Sequence, residues 1–382
     1  MYDVVVIGQG LTGVLSAIYA KKKNLSVALV SEGVGRIAQS TGVMDLLPGS
    51  NGNLEDWKKF FQIDQEGESI LDKATQEFLS LTNDIAYPYH GNLGTPISMV
   101  TGSGYVKQTC LYPKTISALP KKGKVVIVGI SELLDFRPEF MKGNLQDHNH
   151  QLEIETISIS IKKDTQRVLT QLDVARLLDQ KEIRERFIQN IKCQLVSENV
   201  DLFIFPASLG LRHWEEVLTD LERELRAKVT EAPGMPPNAT AYRLFEALRK
   251  DSIKLGIRYY SNTTVSGANF ENEKVESIAV HNHNRATTVK GRSFILATGG
   301  LLGGGLDIQE SIWAENALHL PMNDQGECIY VPSNVSIAGA TKNQERTRYG
   351  ITGGIYSIFS SYLSVYTLLE ENVGGVSYAT RH

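Results

Sequence analysis

Cysteine is scarce in this 382-residue sequence, with only Cys110, Cys193 and Cys328, far apart and odd in number. No CxxC pair occurs, which argues against an iron–sulfur cluster or a structural zinc held by this chain alone. Such thiols suit a reducing compartment better than a disulfide framework. Positive charge is not in surplus: 39 Lys and Arg face 43 Asp and Glu, for a net charge of -4. General nucleic-acid binding is therefore not expected, since no basic excess is available to displace counterions. No apolar run reaches the roughly 18 residues of a membrane span. The nearest, Gly354 to Leu369, is broken by serines and tyrosines and ends in Glu370-Glu371, so it reads as a buried helix. No secretory leader is expected, because Tyr2 to Ile7 reads as a core strand. Internal repeats and low-complexity segments are also missing.

What is present is a large core. The chain is 42% hydrophobic and 21% charged, and its length suits two domains, or three. Val4, Val5, Val6 and Ile7 form a continuous apolar run, as in a parallel strand buried on both faces. Gly8-Gln9-Gly10-Leu11-Thr12-Gly13 follows, then Val14, Leu15, Ile18 and Tyr19 at helical spacing, then a second strand over Ser26 to Val30. G-x-G-x-x-G alone is a weak signal. Between a strand and a helix, within about 30 residues of a second strand, it has the context a dinucleotide fingerprint requires. Gly8 allows the tight turn, Gly10 lets a pyrophosphate approach the backbone, and Gly13 lets helix and strand pack closely. The helix N-terminus then offers free N–H groups and a positive dipole end. The alternative is a tight turn that binds nothing. An acidic residue is expected at the end of the second strand to hold the ribose hydroxyls. Glu32 is the candidate, one step after Ser31, which occupies the usual acidic position; one step along a strand can turn a side chain to the other face.

Further along, buried strands are expected at Lys124 to Ile130 and Leu202 to Phe205, Leu152 to Ile161 is β-branched and strand-like, 173–191 is amphipathic, and a helix follows the 202–205 strand. Pro233, Pro236 and Pro237 mark a boundary near 232–238, followed by a helix over 241–255. Short strands are expected from 257 to 298, a strand at Val335 to Ala338, and a last helix over about 354–370.

Phe294-Ile295-Leu296-Ala297-Thr298-Gly299-Gly300 is a buried strand running into small residues. It resembles the "ATGG" segment of the fumarate reductase and glutathione reductase flavoprotein superfamily, which implies backbone passing close to a dinucleotide at Ala297 and Gly299. Val335 to Ala340, containing Gly339, and then Ile351-Thr352-Gly353-Gly354 resemble that superfamily's C-terminal signature. There a helix N-terminus points at the pyrimidine end of a flavin. Three segments in this order imply FAD rather than a nicotinamide cofactor.

More of the chain is similar to the B subunits of anaerobic glycerol-3-phosphate dehydrogenases. The resemblance rests on Gln39-Ser40-Thr41-Gly42-Val43-Met44-Asp45-Leu46-Leu47, on Phe205 to Leu211, on the proline-rich stretch before Arg243, and on the Gly339 segment. It implies an oxidoreductase of glycerol metabolism and anaerobic respiration, oxidising sn-glycerol 3-phosphate to dihydroxyacetone phosphate with electrons passed to quinone, then fumarate or nitrate. It implies a catalytic A subunit and a membrane-bound iron–sulfur C subunit as partners. It also implies a cytoplasmic location, peripheral at the membrane's inner face through those partners. Ser40, Thr41 and Gly42 fall where the superfamily's chain passes the pyrophosphate and flavin ring. FMN is the alternative flavin, since members of that family are often assigned it and FMN needs no ribose ligand. Residues 306–332 are short for the family.

Oxidising a secondary alcohol with flavin requires a base for the hydroxyl proton. His90, His213 and His319 are candidates, each with a structural alternative, and no catalytic residue is assigned. Arg243, Arg346 and Arg348 are candidate cations for a phosphate, or solvated charges. His148/His150 and His281/His283 sit in turn-forming sequence without a third ligand, so no metal site is expected. The run Gly299 to Gly305 reads as a flexible connection.

The expected fold is α/β, a Rossmann-like FAD-binding domain of glutathione reductase type with a large inserted second domain. The flavin domain is expected to combine 1–50, 239–304 and 333–382; the inserted substrate or partner domain, 51–238 and 305–332. Three functional readings stay open: a dehydrogenase subunit, a non-catalytic electron-transfer or scaffold subunit, and an independent soluble FAD-dependent reductase.

Overall fold

The computed structural model describes residues 1–47, 49–50, 52–161, 168–196, 198–283, 285–310, 312–342 and 353–373. In chain order the elements begin β1 (Tyr2–Ile7), α1 (Leu11–Lys22), β2 (Val27–Ser31), β3 (Met44–Asp45), α2 (Leu54–Phe61) and α3 (Gln65–Asp84). Then come β4 (Tyr89–Gly91), β5 (Ile97–Val100), β6 (Val106–Pro113), β7 (Gly123–Ile130), α4 (Pro138–His148), β8 (Leu152–Ile159), α5 (Gln171–Leu178) and α6 (Lys181–Gln194). They continue with β9 (Leu202–Pro206), α7 (Trp214–Leu225), β10 (Lys228–Ala232), α8 (Ala239–Lys254), β11 (Arg258–Ser261), β12 (Thr264–Glu271), β13 (Lys274–Asn282) and β14 (Arg285–Leu296). The last are β15 (Leu306–Gln309), β16 (Ile312–Glu315), β17 (Val335–Ile337) and α9 (Gly353–Val373).

The chain divides into two compact units, one of residues 1–36, 47–81 and 247–382, the other of 37–46 and 82–246. Residues 51–81 and 305–332, expected in the insertion, lie in the first unit. There Phe61 of α2 stacks on Phe359 of α9, with ring centroids 5.6 Å apart, and β15 and β16 pair with each other. The boundary near 246 falls inside α8 rather than at the proline stretch.

The first unit is built on a seven-stranded sheet. Its parallel part runs β11-β2-β1-β14-β17, the doubly wound order in which the first strand lies at the centre. Val4 to Ile7 are buried because both sheet faces are covered, which is why this strand reads as an unbroken apolar run. β14 is a shared strand: Arg285 to Lys290 pair antiparallel with β13, and Gly291 to Leu296 pair parallel with β1. The crossover from β2 to β11 contains the whole second unit and ends in α8. α1 packs against α9 through Tyr19 and Tyr362, with ring centroids 5.7 Å apart.

The second unit carries a four-stranded parallel sheet, β10-β9-β7-β8, and a small antiparallel sheet in which β6 pairs with β3, β4 and β5. Valines and isoleucines of β7 and phenylalanines of β9 fill its core. The amphipathic stretch 173–191 is two helices, because the chain breaks at Asp179. Its carboxylate accepts from the backbone N–H groups of Leu211, Arg212 and His213, leading into α7. Among the described residues no helix is long and apolar enough to cross a membrane.

Candidate functional site

In a doubly wound sheet, ligands bind beyond the carboxyl ends of the strands where the winding reverses, here between β1 and β14. A cavity of about 580 Å³ opens there, entirely within the first unit. Gly8 leaves β1 with φ +109°, and a Cβ on it would lie 2.2 Å from the Ala297 carbonyl oxygen, so only glycine lets the β1 and β14 exits meet this closely. A Cβ on Gly13 would lie 1.9 Å from the Gly8 carbonyl oxygen, so this glycine lets α1 press onto the turn. Gly10 differs: a Cβ there would meet nothing within 4 Å. It lines the cavity as the N-cap of α1, and no side chain caps the helix.

Gly8, Gly10, Glu32, Ala297 and Gly299 line the cavity. Glu32 is exposed at its rim. Ser31, at the strand-end position before it, donates its hydroxyl to the Gly33 carbonyl. Gly13 and Gly339 are packed behind: Gly339 donates its N–H to Ser360 Oγ at 3.0 Å and its backbone lies against Thr12. Gly353 and Gly354 open α9. The Gly299–Gly305 run is a wall of the cavity, tied at its base by the Gly299 N–H donating to Thr341 Oγ1 at 2.9 Å. Arg36, Asn316 and Thr341 have no signature in the sequence; they matter only because distant segments meet here.

Ser40, Thr41 and Gly42 belong to the second unit. Asn238 donates to the Ser40 carbonyl at 2.8 Å and the Tyr89 hydroxyl to the Gly42 carbonyl at 2.5 Å, which fixes this loop from its backbone. Lys107 donates to Thr41 Oγ1 at 3.4 Å and to Asp45 Oδ2 at 2.8 Å. Asp45 Oδ1 is buried and has no hydrogen-bond partner among the described residues. Burial pushes the Asp45 carboxyl above its usual range, with Lys107 opposing.

The proton-acceptor candidates lie elsewhere. His90 is exposed on β4. His213 Nδ1 stands 3.0 Å from Glu216 Oε1, and His319 Nε2 stands 3.4 Å from the Ser266 carbonyl oxygen. None of the three lines the cavity. Arg243 is not a free cation. It forms a buried bidentate pair with Glu231, at 2.7 and 2.9 Å, and donates Nε to the Gly210 carbonyl at 2.7 Å. Burial opposes its charge, but the adjacent Glu231 more than restores it, so its pKa is raised. Arg346 and Arg348 lie outside the described residues.

A helix N-terminus without a side-chain cap, open space over Gly10 and a cavity lined by glycine-rich turns suit an anionic dinucleotide. The family model described as "FAD binding domain" matches residues 3–334. The chain is similar to the B subunit of anaerobic glycerol-3-phosphate dehydrogenase from Mannheimia succiniciproducens, 26% identical over 331 residues, 80% of this chain and 75% of that protein. It is also 26% identical over 347 residues to the corresponding B subunit from Vibrio cholerae serotype O1, 82% of this chain and 78% of that protein. Among solved structures it resembles the open conformation of a flavocytochrome c3 fumarate reductase, with TM-score 0.35, 14% identity, and 78% of this chain and 34% of that one covered. A 3-ketosteroid-Δ4-(5α)-dehydrogenase from Rhodococcus jostii RHA1 matches with TM-score 0.36 and 14% identity over 78% of this chain and 46% of that one. The chain thus spans less than half of either solved protein. With the family model matching from the first strand to the edge of β17, the chain belongs to the FAD binding domain family, and it is a flavin-dependent oxidoreductase with FAD as its dinucleotide.

Proposed function

We propose that this chain is the flavin-carrying subunit of an anaerobic glycerol-3-phosphate dehydrogenase, oxidising sn-glycerol 3-phosphate to dihydroxyacetone phosphate with electrons passed on to quinone. The reading is carried by similarity over four-fifths of the chain to proteins bearing that name. Gly8, Gly10 and Gly13, with the α1 N-terminus, hold the diphosphate; Glu32 holds the ribose hydroxyls; Ala297 and Gly299 let the backbone approach. Gly339, Gly353 and Gly354 serve the flavin side. When bound, FAD supplies a hydride acceptor for the alcohol carbon. The second unit serves substrate or partner. A catalytic A subunit and an iron–sulfur C subunit complete the assembly, and the C subunit supplies the membrane contact on the cytoplasmic side.

One observation favours a second reading, in which this chain relays electrons while chemistry occurs on its partner. The three candidate histidines stand away from the cavity and the candidate Arg243 is committed to Glu231. Anaerobic titration of the purified, FAD-loaded chain with glycerol 3-phosphate decides between them. Bleaching of the flavin band by the chain alone supports a substrate site here. Bleaching only after the A subunit is added supports the relay.

A further inference from the structure

Two loops form the lips of the cavity, 32–36 after β2 and 298–305 after β14. Arg36 Nη1 donates to the Leu302 carbonyl oxygen at 2.7 Å, and both residues line the cavity. Among the described residues this is the one hydrogen bond that joins the two lips. At their bases the lips are fixed separately. Gly35 has φ +72° and a Cβ on it would lie 2.4 Å from the Gln9 carbonyl oxygen, so the first lip rests on the Gly8–Gly10 turn. The second is held at Gly299 by Thr341. At the tip of the second lip Leu302 is 80% exposed. Gly299, Gly300, Gly303, Gly304 and Gly305 leave this lip few side chains; Leu301–Gly303 form a 3-10 turn, and Asn316 holds the far end by donating to the Gly304 and Gly305 carbonyls, each at 3.0 Å. Each lip is thus held on its own side, and the one charge-assisted bond across the mouth of the cavity is supplied by Arg36.

We propose that Arg36 is the clasp of the FAD cavity, a positioning residue whose bond to Leu302 sets how fast the dinucleotide leaves. This rests on the reading of the cavity as the dinucleotide site. The test is flavin release from the FAD-loaded full-length chain, followed by the rise in free-flavin fluorescence after dilution. Arg36→Met is expected to release FAD roughly three- to tenfold faster, the scale of one net hydrogen bond at an exposed site. Leu302→Ala keeps the carbonyl and is expected to release at the wild-type rate. Gly10→Val places its side chain in open space at an ordinary φ of -71° and is expected to fold, by circular dichroism, yet purify without flavin. If Gly10→Val still carries flavin, the cavity reading fails and the clasp with it. If Gly10→Val is flavin-free while Arg36→Met releases at the wild-type rate, the cavity reading stands and the clasp alone is overturned. A Leu302→Ala rate matching Arg36→Met also overturns it, because side-chain cover rather than the bond then retains FAD.

Discussion

Arg243 and Glu231 show how far a residue's role depends on what folds against it. Read along the chain, Arg243 is a cation beside a proline-rich stretch. In the fold it is buried against a carboxylate twelve residues earlier, across the turn between β10 and α8. Charge pairing of this kind leaves no local pattern, so the sequence offers no way to tell a buried partner from a ligand-binding arginine. Removing one member strands the other charge without water. Glu231→Gln is expected to cost about 3–5 kcal/mol of stability, read by urea denaturation, and a paired replacement of both by apolar residues far less. Asp45 is a different case. Its folded carboxyl pKa is raised, burial outweighing Lys107, so its ionised form is disfavoured by folding. The stability it contributes is present in acid, below the usual carboxylate range, and is lost as pH rises through the raised value. Asp45→Asn is therefore expected to melt above the wild type at neutral pH, with the gap closing in acid; a neutral-pH melt below the wild type would contradict this.

The elements most readable in the sequence are those whose geometry is set by near neighbours. β1, α1 and β2 follow one another within thirty residues, and Gly8 and Gly13 of the turn answer steric demands that their spacing already suggests. Gly13→Ala is expected to push α1 off the turn, because the new methyl would overlap the Gly8 carbonyl. The expected result is a lowered melting temperature together with loss of bound flavin, and unchanged flavin content would show that the turn can shift. The antiparallel sheet of β4, β5 and β6 carries no comparable signal. Its strands are short, their burial follows no clean alternation, and their pairing is decided by contacts with β3 from far upstream. The amphipathic stretch 173–191 is broken at Asp179, whose carboxylate serves a turn more than thirty residues away. Periodicity reports which face is apolar; it does not report a side chain recruited from elsewhere.

At the scale of the molecule, FAD binding is expected to be felt unevenly. The cavity draws all its walls from the first unit, so hydrogen exchange compared with and without FAD should slow at the Gly8–Thr12 turn and the 298–305 lip. Equal exchange there in both states would place the dinucleotide elsewhere. The doubly wound order itself is not visible in any one segment, since β1 takes its second neighbour from residues 291–296. That pairing governs how the chain is made. During synthesis β1 and β2 emerge first, but the strand that closes β1 on its other side is nearly three hundred residues behind. The second unit is complete once Glu246 has appeared, so it can collapse while its host still lacks a central partner. The first part of the polypeptide to be born is thus among the last to be finished. A nascent chain ending before Gly291 should resist protease across 82–246 and be cut within its first 36 residues.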